Sequence, residues 1–320
     1  MKLTTEVPVN ISSHPIDYNS SLLCLGSCFA EHISSKLDFF KFKVTSSPFG
    51  ILFHPEAILN VVEKAVNDED FTEDDVFQHN EKWHSFFAHS RLSRNSSAEI
   101  LAVLNSAKKE LKVASEQATH IIITLGTSFI YRHRSTQQGV ANCHKLPQDR
   151  FEKQLTSITD LKKILKRLVN SFENIQPDVK LVFTVSPVRH IKDGIIENNR
   201  SKSHLLTALH LILEEKTSKK LSYFPSYELM MDELRDYRFY DRDLIHPNAL
   251  AVDLIWERFK MNFISQAIYL DMTKVEKLQK SFAHRQSESK GEAFEKLKAY
   301  QYKFKKELTQ KYPFMRFPKL

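Results

Sequence analysis

Three short stretches of the chain are apolar at nearly every position: SLLCL at 21–25, HIIITL at 120–125 and KLVFTV at 180–185. A strand with one face in water alternates, so unbroken runs of this length predict strands covered on both faces, as in a parallel sheet. Between these runs the period changes. Phe29, Ile33 and Leu37 recur at helical spacing, a turn falls at Ser46–Gly50, and Pro55 opens a helix through AILNVVEKAV. Residues 67–82 are acidic and loop-like, WHSFFAH (83–89) reads as extended, and Ser97 caps a helix through AEILAVLNSAKKELKVA. FIYRHR and GVANCHKLP form an extended excursion, followed by an amphipathic helix near 151–172. The last third reads as a helix near 195–215, a late strand LSYFPSYEL, the loop DYRFYDRDLIHPN and a helix from Pro247. No repeat shows at periods of 20–50 residues. Strands alternating with helices predict a three-layer α/β fold with a mainly parallel sheet, in which ligands bind beyond the carboxyl ends of the strands.

Composition narrows the function classes. With 6 Gly, 23 Phe and 42% hydrophobic residues in 320, a packed core is expected and collagen-like, linker-like and low-complexity architectures are excluded. The net charge of +7 suggests an anionic macromolecule until it is placed along the chain. Residues 271–320 hold 13 Lys and Arg against 6 Asp and Glu, while residues 1–270 balance at 33 and 33. This divides the chain into an α/β domain, 1–270, and a basic helical extension, 271–320, with a break near Ser287–Gly291. The extension reads as a helical appendage with a solvated basic face, ahead of nucleic-acid or membrane binding. No zinc-finger, P-loop or dinucleotide fingerprint is present. The first twenty residues are polar with two prolines, no apolar run nears the ~18 residues of a membrane span, and the 3 Cys are an odd number. The expectation is a cytoplasmic protein with free cysteines and no membrane span.

The residues just after the predicted strands are Gly26-Ser27-Cys28, Gly126-Thr127-Ser128 and Ser186-Pro187. Pro48-Phe49-Gly50 and Asp243-Leu244-Ile245-His246 stand before helices. In order, LGSCFAEHI, SPFGILFHPEAI, TLGTSFIY, ANCHKLP, SPVRH and DLIHPN resemble the GSCFA-domain family, which is grouped with the SGNH (GDSL-like) hydrolases. The resemblance covers roughly residues 20–265. It implies a flavodoxin-like α/β/α fold, leaving the C-terminal helices as an appendage, and ester or acyl-group chemistry without metal or cofactor.

Carried over by position, the superfamily's first block places Cys28 in the nucleophile's column, with Ser27 taking that role if the register shifts by one. A thiol at a helix N-terminus is expected to have a lowered pKa. A buried turn with Cys28 packed under the helix is the plain alternative. The second block makes Gly50 N–H an oxyanion donor. The third keeps Gly126 but puts Ser128 where the family pattern has Asn, so Asn142 is a candidate to supply the missing amide. The fourth, Asp-x-x-His, is matched without change: His246 as general base, Asp243 fixing its tautomer, with helix capping the alternative for Asp243. His84, His144, Arg189 and His190 complete the candidate binding residues, and Arg189-His190 suit an anionic or sugar substrate. Cys143-His144 lack the further ligands of a zinc site. The expected function is a hydrolase (esterase or O-deacylase) or acyltransferase acting on an O-acyl group of a small molecule, carbohydrate or cell-envelope glycan. The alternative is an inactive SGNH-like ligand-binding module.

Overall fold

The computed structural model describes residues 5–216, 220–283 and 292–318. The chain runs β1 (Ser21–Gly26), α1 (Cys28–Phe39), β2 (Lys43–Ser46), α2 (Pro55–Val66), β3 (Phe77–His79), β4 (Lys82–His84), α3 (Ser97–Gln117) and β5 (His120–Leu125). It continues through β6 (Phe129–His133), β7 (Gly139–Val140), β8 (Phe151–Leu155), α4 (Ile158–Ile175), β9 (Lys180–Val185), α5 (Ile195–Glu215), β10 (Leu221–Tyr223), the single turn α6 (Ser226–Glu228), α7 (Ala249–Phe263), α8 (Tyr269–Ala283) and α9 (Glu292–Lys311).

Five strands pair in parallel in the order β2-β1-β5-β9-β10. In chain order this is 2-1-3-4-5, the flavodoxin-like arrangement, whose direction reverses between β1 and β5 and opens a crevice there. The unbroken apolar runs follow from the layering. Along β5, Ile121, Ile123 and Leu125 enter one core with α2, α3, α4 and α5, while Ile122 enters the opposite core with α1 and α7. Val182 on β9 and Leu22 on β1 likewise face the α1 side, and Leu181, Phe183 and Leu23 the other, so period 2 is present but both phases are apolar. The result is a three-layer α/β/α sandwich.

Several boundaries differ from the sequence reading for local reasons. Phe151–Leu155 pair antiparallel with β6 before α4 begins, so the predicted helix near 151–172 starts only at Ile158. β6, β7 and β8 form a small separate sheet from the extended excursion after β5. The late strand stops at Tyr223 because Pro225 cannot continue the ladder. Ser96, not Ser97, caps α3, its side chain accepting from Glu99 N–H. Pro247 stands outside α7; Asn248 is the cap and accepts from Ala251 N–H at 3.0 Å.

Helices α8 and α9 pack into the α1-side core. Met272, Val275 and Leu278 of α8, with Leu308 and Met315, join Phe29 and Leu37 of α1 and Trp256 of α7. Asp271, itself buried, accepts from Lys311 Nζ and from the Tyr312 hydroxyl, each at 2.7 Å, tying the two ends of this segment together. The expected break near Ser287–Gly291 lies outside the described residues. No helix among the described residues is long and apolar enough to cross a membrane.

Gly26 ends β1 at φ 122°, where an added Cβ would stand 2.1 Å from Thr124 O of β5. Both the backbone angle and the space demand glycine. Gly26→Ala is expected to destabilise the fold by about 3 kcal/mol or more, read as a lower urea midpoint at unchanged slope; a loss under about 1 kcal/mol would show that β1 and β5 can part at this end.

Candidate active site

Because Gly26 lets β1 touch β5 so closely, α1 starts in the crevice at the sheet's reversal point, with Ser27 at its N-cap and Cys28 as its first residue. The Ser27 hydroxyl does not cap the helix: it is fully buried and has no hydrogen-bond partner among the described residues, while its N–H donates to Thr124 O at 3.0 Å. The N–H groups of Cys28 and Phe29 act to lower the pKa of the Cys28 thiol. An uncapped helix start directs unsatisfied N–H donors and a positive dipole end at whatever lies there. Cys28 is half-buried and lines a cavity of about 730 Å³ at the carboxyl ends of β1, β5 and β9. Burial raises the Cys28 thiol above its ordinary value, outweighing the lowering by Lys202 and by the two helix N–H groups. The expected depressed thiol pKa is therefore corrected: the helix terminus acts in the foreseen direction, but desolvation is larger.

Lys202 was not foreseen. On α5 the buried stripe runs Asn198, Ser201, Lys202, Leu205, Leu209, Ile212, polar for two turns and then apolar. Each polar member fastens a strand-end loop. Asn198 Oδ1 accepts from His190 N–H (2.9 Å), and Ser201 Oγ accepts from Ser128 N–H (2.8 Å) and pairs with Thr127 Oγ1 (2.9 Å). Lys202 Nζ donates to Gly126 O (2.6 Å) and Ser186 O (2.8 Å), joining the ends of β5 and β9. Lys202 is 1% exposed; burial lowers its pKa to about 7, and the neighbouring Cys28 opposes that shift. The sequence signal was present: three polar residues at helical spacing in phase with the apolar stripe of the same helix.

The loop before α7 carries Asp243 and His246. Asp243 Oδ2 lies 2.6 Å from His246 Nδ1, and Oδ1 accepts from the N–H groups of Ile245 (2.9 Å) and His246 (3.0 Å). These bonds hold the Asp243 carboxyl down at about 2. The local fold depends on Leu244, whose φ of 59° turns the chain so that the carboxylate reaches back onto the backbone it precedes. With Nδ1 donating to a carboxylate, the neutral ring presents Nε2 as a base. His246 lines the same cavity as Cys28. His32, one helical turn after Cys28, has its pKa lowered by burial and then by His246.

The remaining candidates divide. Asn142, Arg189 and His190 line the cavity. Asn142 Oδ1 accepts from His144 N–H (2.7 Å), and its amide NH2 makes no hydrogen bond among the described residues. Three residues expected at the oxyanion site are committed elsewhere. Gly50 N–H donates to Ser47 O at 2.8 Å. Gly126 N–H donates to Phe53 O at 2.8 Å. Ser128 is fully buried and its hydroxyl donates to Ser201 O at 3.0 Å. Ser27, the alternative nucleophile, is sealed beneath the helix start. His84 and His144 are also placed off the cavity lining: their ring centres lie 4.6 Å apart with the planes tilted by 38°, His84 bonds Ser93 and His79 O, His144 bonds Ser85 O, and burial lowers the His144 pKa to about 4. The glycines still mark the site, since Cys28, Ile51 and Thr127 follow Gly26, Gly50 and Gly126 by one or two residues and line the cavity. They let chain segments close on one another rather than offering free N–H groups. Among the described residues no group of three His, Cys, Asp or Glu could hold a metal ion.

What this arrangement can do chemically is attack an acyl carbon at Cys28 with a base at His246 on the same cavity. In comparison with known proteins, the model of the GSCFA family matches residues 21–259. No curated protein matches the chain significantly in sequence.

Proposed function

The chain belongs to the GSCFA family, and from that premise and the cavity just described we propose that it is an SGNH-type acyl-group enzyme that uses Cys28 as nucleophile. The observation that carries the proposal is the convergence on one cavity of a thiol at an open helix start and a histidine oriented by Asp243. The Cys28 thiol gives its proton to His246 Nε2, and Sγ bonds to the acyl carbon of an ester. The tetrahedral oxyanion is met by the α1 N–H groups and the Asn142 amide in place of the committed donors. Collapse breaks the ester C–O bond, His246 returns the proton to the leaving alkoxide, and Cys28 holds a thioester. Water, or an acceptor hydroxyl, then gives its proton to His246 as its oxygen attacks the thioester carbon, and the C–S bond breaks to restore the thiol. Hydrolysis and transfer differ only in that second nucleophile.

The test is to incubate the protein with 4-nitrophenyl acetate, quench with acid and measure the intact mass. A gain of one acetyl group that maps to Cys28, and that persists in Ser27→Ala, is expected. An adduct on Ser27 would reverse the assignment, and no adduct with no nitrophenol release would favour a second reading. That reading, a ligand-binding module without turnover, draws on the commitment of Gly50, Gly126 and Ser128 to internal hydrogen bonds.

A further inference from the structure

The cavity has a one-signed wall. Arg189, Lys192 and Lys145 line it together with His190 and His246, and among the described residues no Asp or Glu is part of the lining. Elsewhere on the molecule comparable cations sit in pairs, such as Arg132 with Glu56, Arg167 with Glu63 and Arg258 with Glu233. Neither Lys145 nor Lys192 pairs with a carboxylate among the described residues. Three positive charges gathered on one concave surface repel one another, and a concave low-dielectric wall concentrates their field. Arg189 is also held in place. Its Nη1 donates to the Tyr240 hydroxyl at 3.3 Å and its guanidinium lies 5.9 Å from the Tyr240 ring centre, leaving the rest of the fork unengaged among the described residues. The loop that carries it is fixed by the His190 N–H bond to Asn198. The other wall is apolar, with Phe53, Phe129, Ile130 and Val140. At about 730 Å³ the cavity is far larger than an acetyl ester needs.

We propose that the acyl compound bound here carries an oxyanion, a phosphate or a carboxylate, on the part remote from the reacting carbonyl. Arg189 binds this oxyanion through its fork, Lys192 and Lys145 add charge, and the acyl chain lies along the apolar wall. The substrate class rests on the catalytic reading above, but anion binding is measurable without turnover.

Calorimetric titration of the full-length protein with inorganic pyrophosphate and, separately, with citrate reads it directly, the stronger arm separating phosphate from carboxylate recognition. Pyrophosphate or citrate is expected to bind, to weaken as salt rises, and to slow alkylation of Cys28 by iodoacetamide. Arg189→Gln with Lys192→Gln is expected to weaken binding by about tenfold or more. Lys192→Gln alone removes an exposed side chain without touching the fold and should weaken it several-fold. Lys162→Gln with Lys163→Gln on α4 removes the same charge far from the cavity and should change nothing. Overturning outcomes are no binding of either anion, equal weakening by the α4 pair, or binding that leaves Cys28 unprotected. Binding without any ester turnover would sustain the anion site and sink only the acyl-transfer reading.

Discussion

Alanine at Cys28 is expected to lower ester turnover by roughly 10³-fold or more, and alanine at His246 by roughly 10²–10⁴-fold. The double variant should be little worse than the poorer single. A nucleophile and its base act as one unit, so removing the second member of a broken pair costs almost nothing further, whereas two residues that contributed separately would multiply. Asp243→Asn is the graded member of the series. Asp243 touches no reacting atom; it orients His246 through Nδ1 and closes the loop through two backbone N–H groups. Asparagine keeps an acceptor for the backbone but removes the charge that stabilises the imidazolium. Because both side chains are about half exposed, water screens that charge, and a loss of about tenfold is expected rather than the far larger loss seen where such a pair is buried. Nitrophenol release under saturating 4-nitrophenyl acetate measures all four proteins. Multiplicative losses in the double variant, or full activity in His246→Ala, would sink the pairing.

The central sheet was legible because its chemistry is one-dimensional. HIIITL and KLVFTV are apolar in both phases of the strand period, and only a sheet covered on both faces hides both; the residues predicted as these two strands are the residues that form them. Cys28, Asp243 and His246 stood out as candidates because each stands where an element starts or a loop closes, and the structure brings Cys28 and His246 to one cavity. Which N–H groups are free to meet an oxyanion was not legible in the same way. Whether the N–H of Gly50 or Gly126 is free depends on which carbonyl folds against it, Ser47 O in one case and Phe53 O in the other, and nothing in a run of residues states that. Lys202 was missed for a related reason: lysine is read as solvated, and only the phase of Asn198, Ser201 and Lys202 with Leu205 and Leu209 places it inside. The sign of the Cys28 shift was missed because the helix terminus is a local feature, while desolvation is summed over every element packed around the thiol.

Lys202→Met is expected to slow Cys28 alkylation several-fold at pH 6, below the Lys202 pKa of about 7 where the cation is present, and to change how stability depends on pH. The Lys202 cation is the largest influence lowering the Cys28 thiol, so its removal leaves burial opposed only by the helix N–H groups and moves the alkylation profile to higher pH. Lys202→Gln separates charge from tethering, since it retains N–H donors for the carbonyls of Gly126 and Ser186 but carries no charge. If Lys202 only ties the loops together, the glutamine variant should react like the wild type; if its charge sustains the thiolate, glutamine should be as slow as methionine. The stability arm has a definite sign. Lys202 titrates at about 7 in the folded protein against 10.5 ordinarily, so between these values the unfolded chain binds a proton that the native state does not. Stability from this group therefore rises with pH across that window, by at most about 1.4 kcal/mol per unit, and is flat below it. Lost hydrogen bonds to Gly126 and Ser186 shift the variant's stability by the same amount at every pH, whereas the proton linkage tilts the difference. Urea unfolding of wild type and Lys202→Met at pH 7, 8 and 9 should show the wild type gaining on the variant as pH rises. A constant difference would mean that Lys202 stays protonated in the fold, and a constant difference with unchanged alkylation would remove it from the thiol's environment altogether.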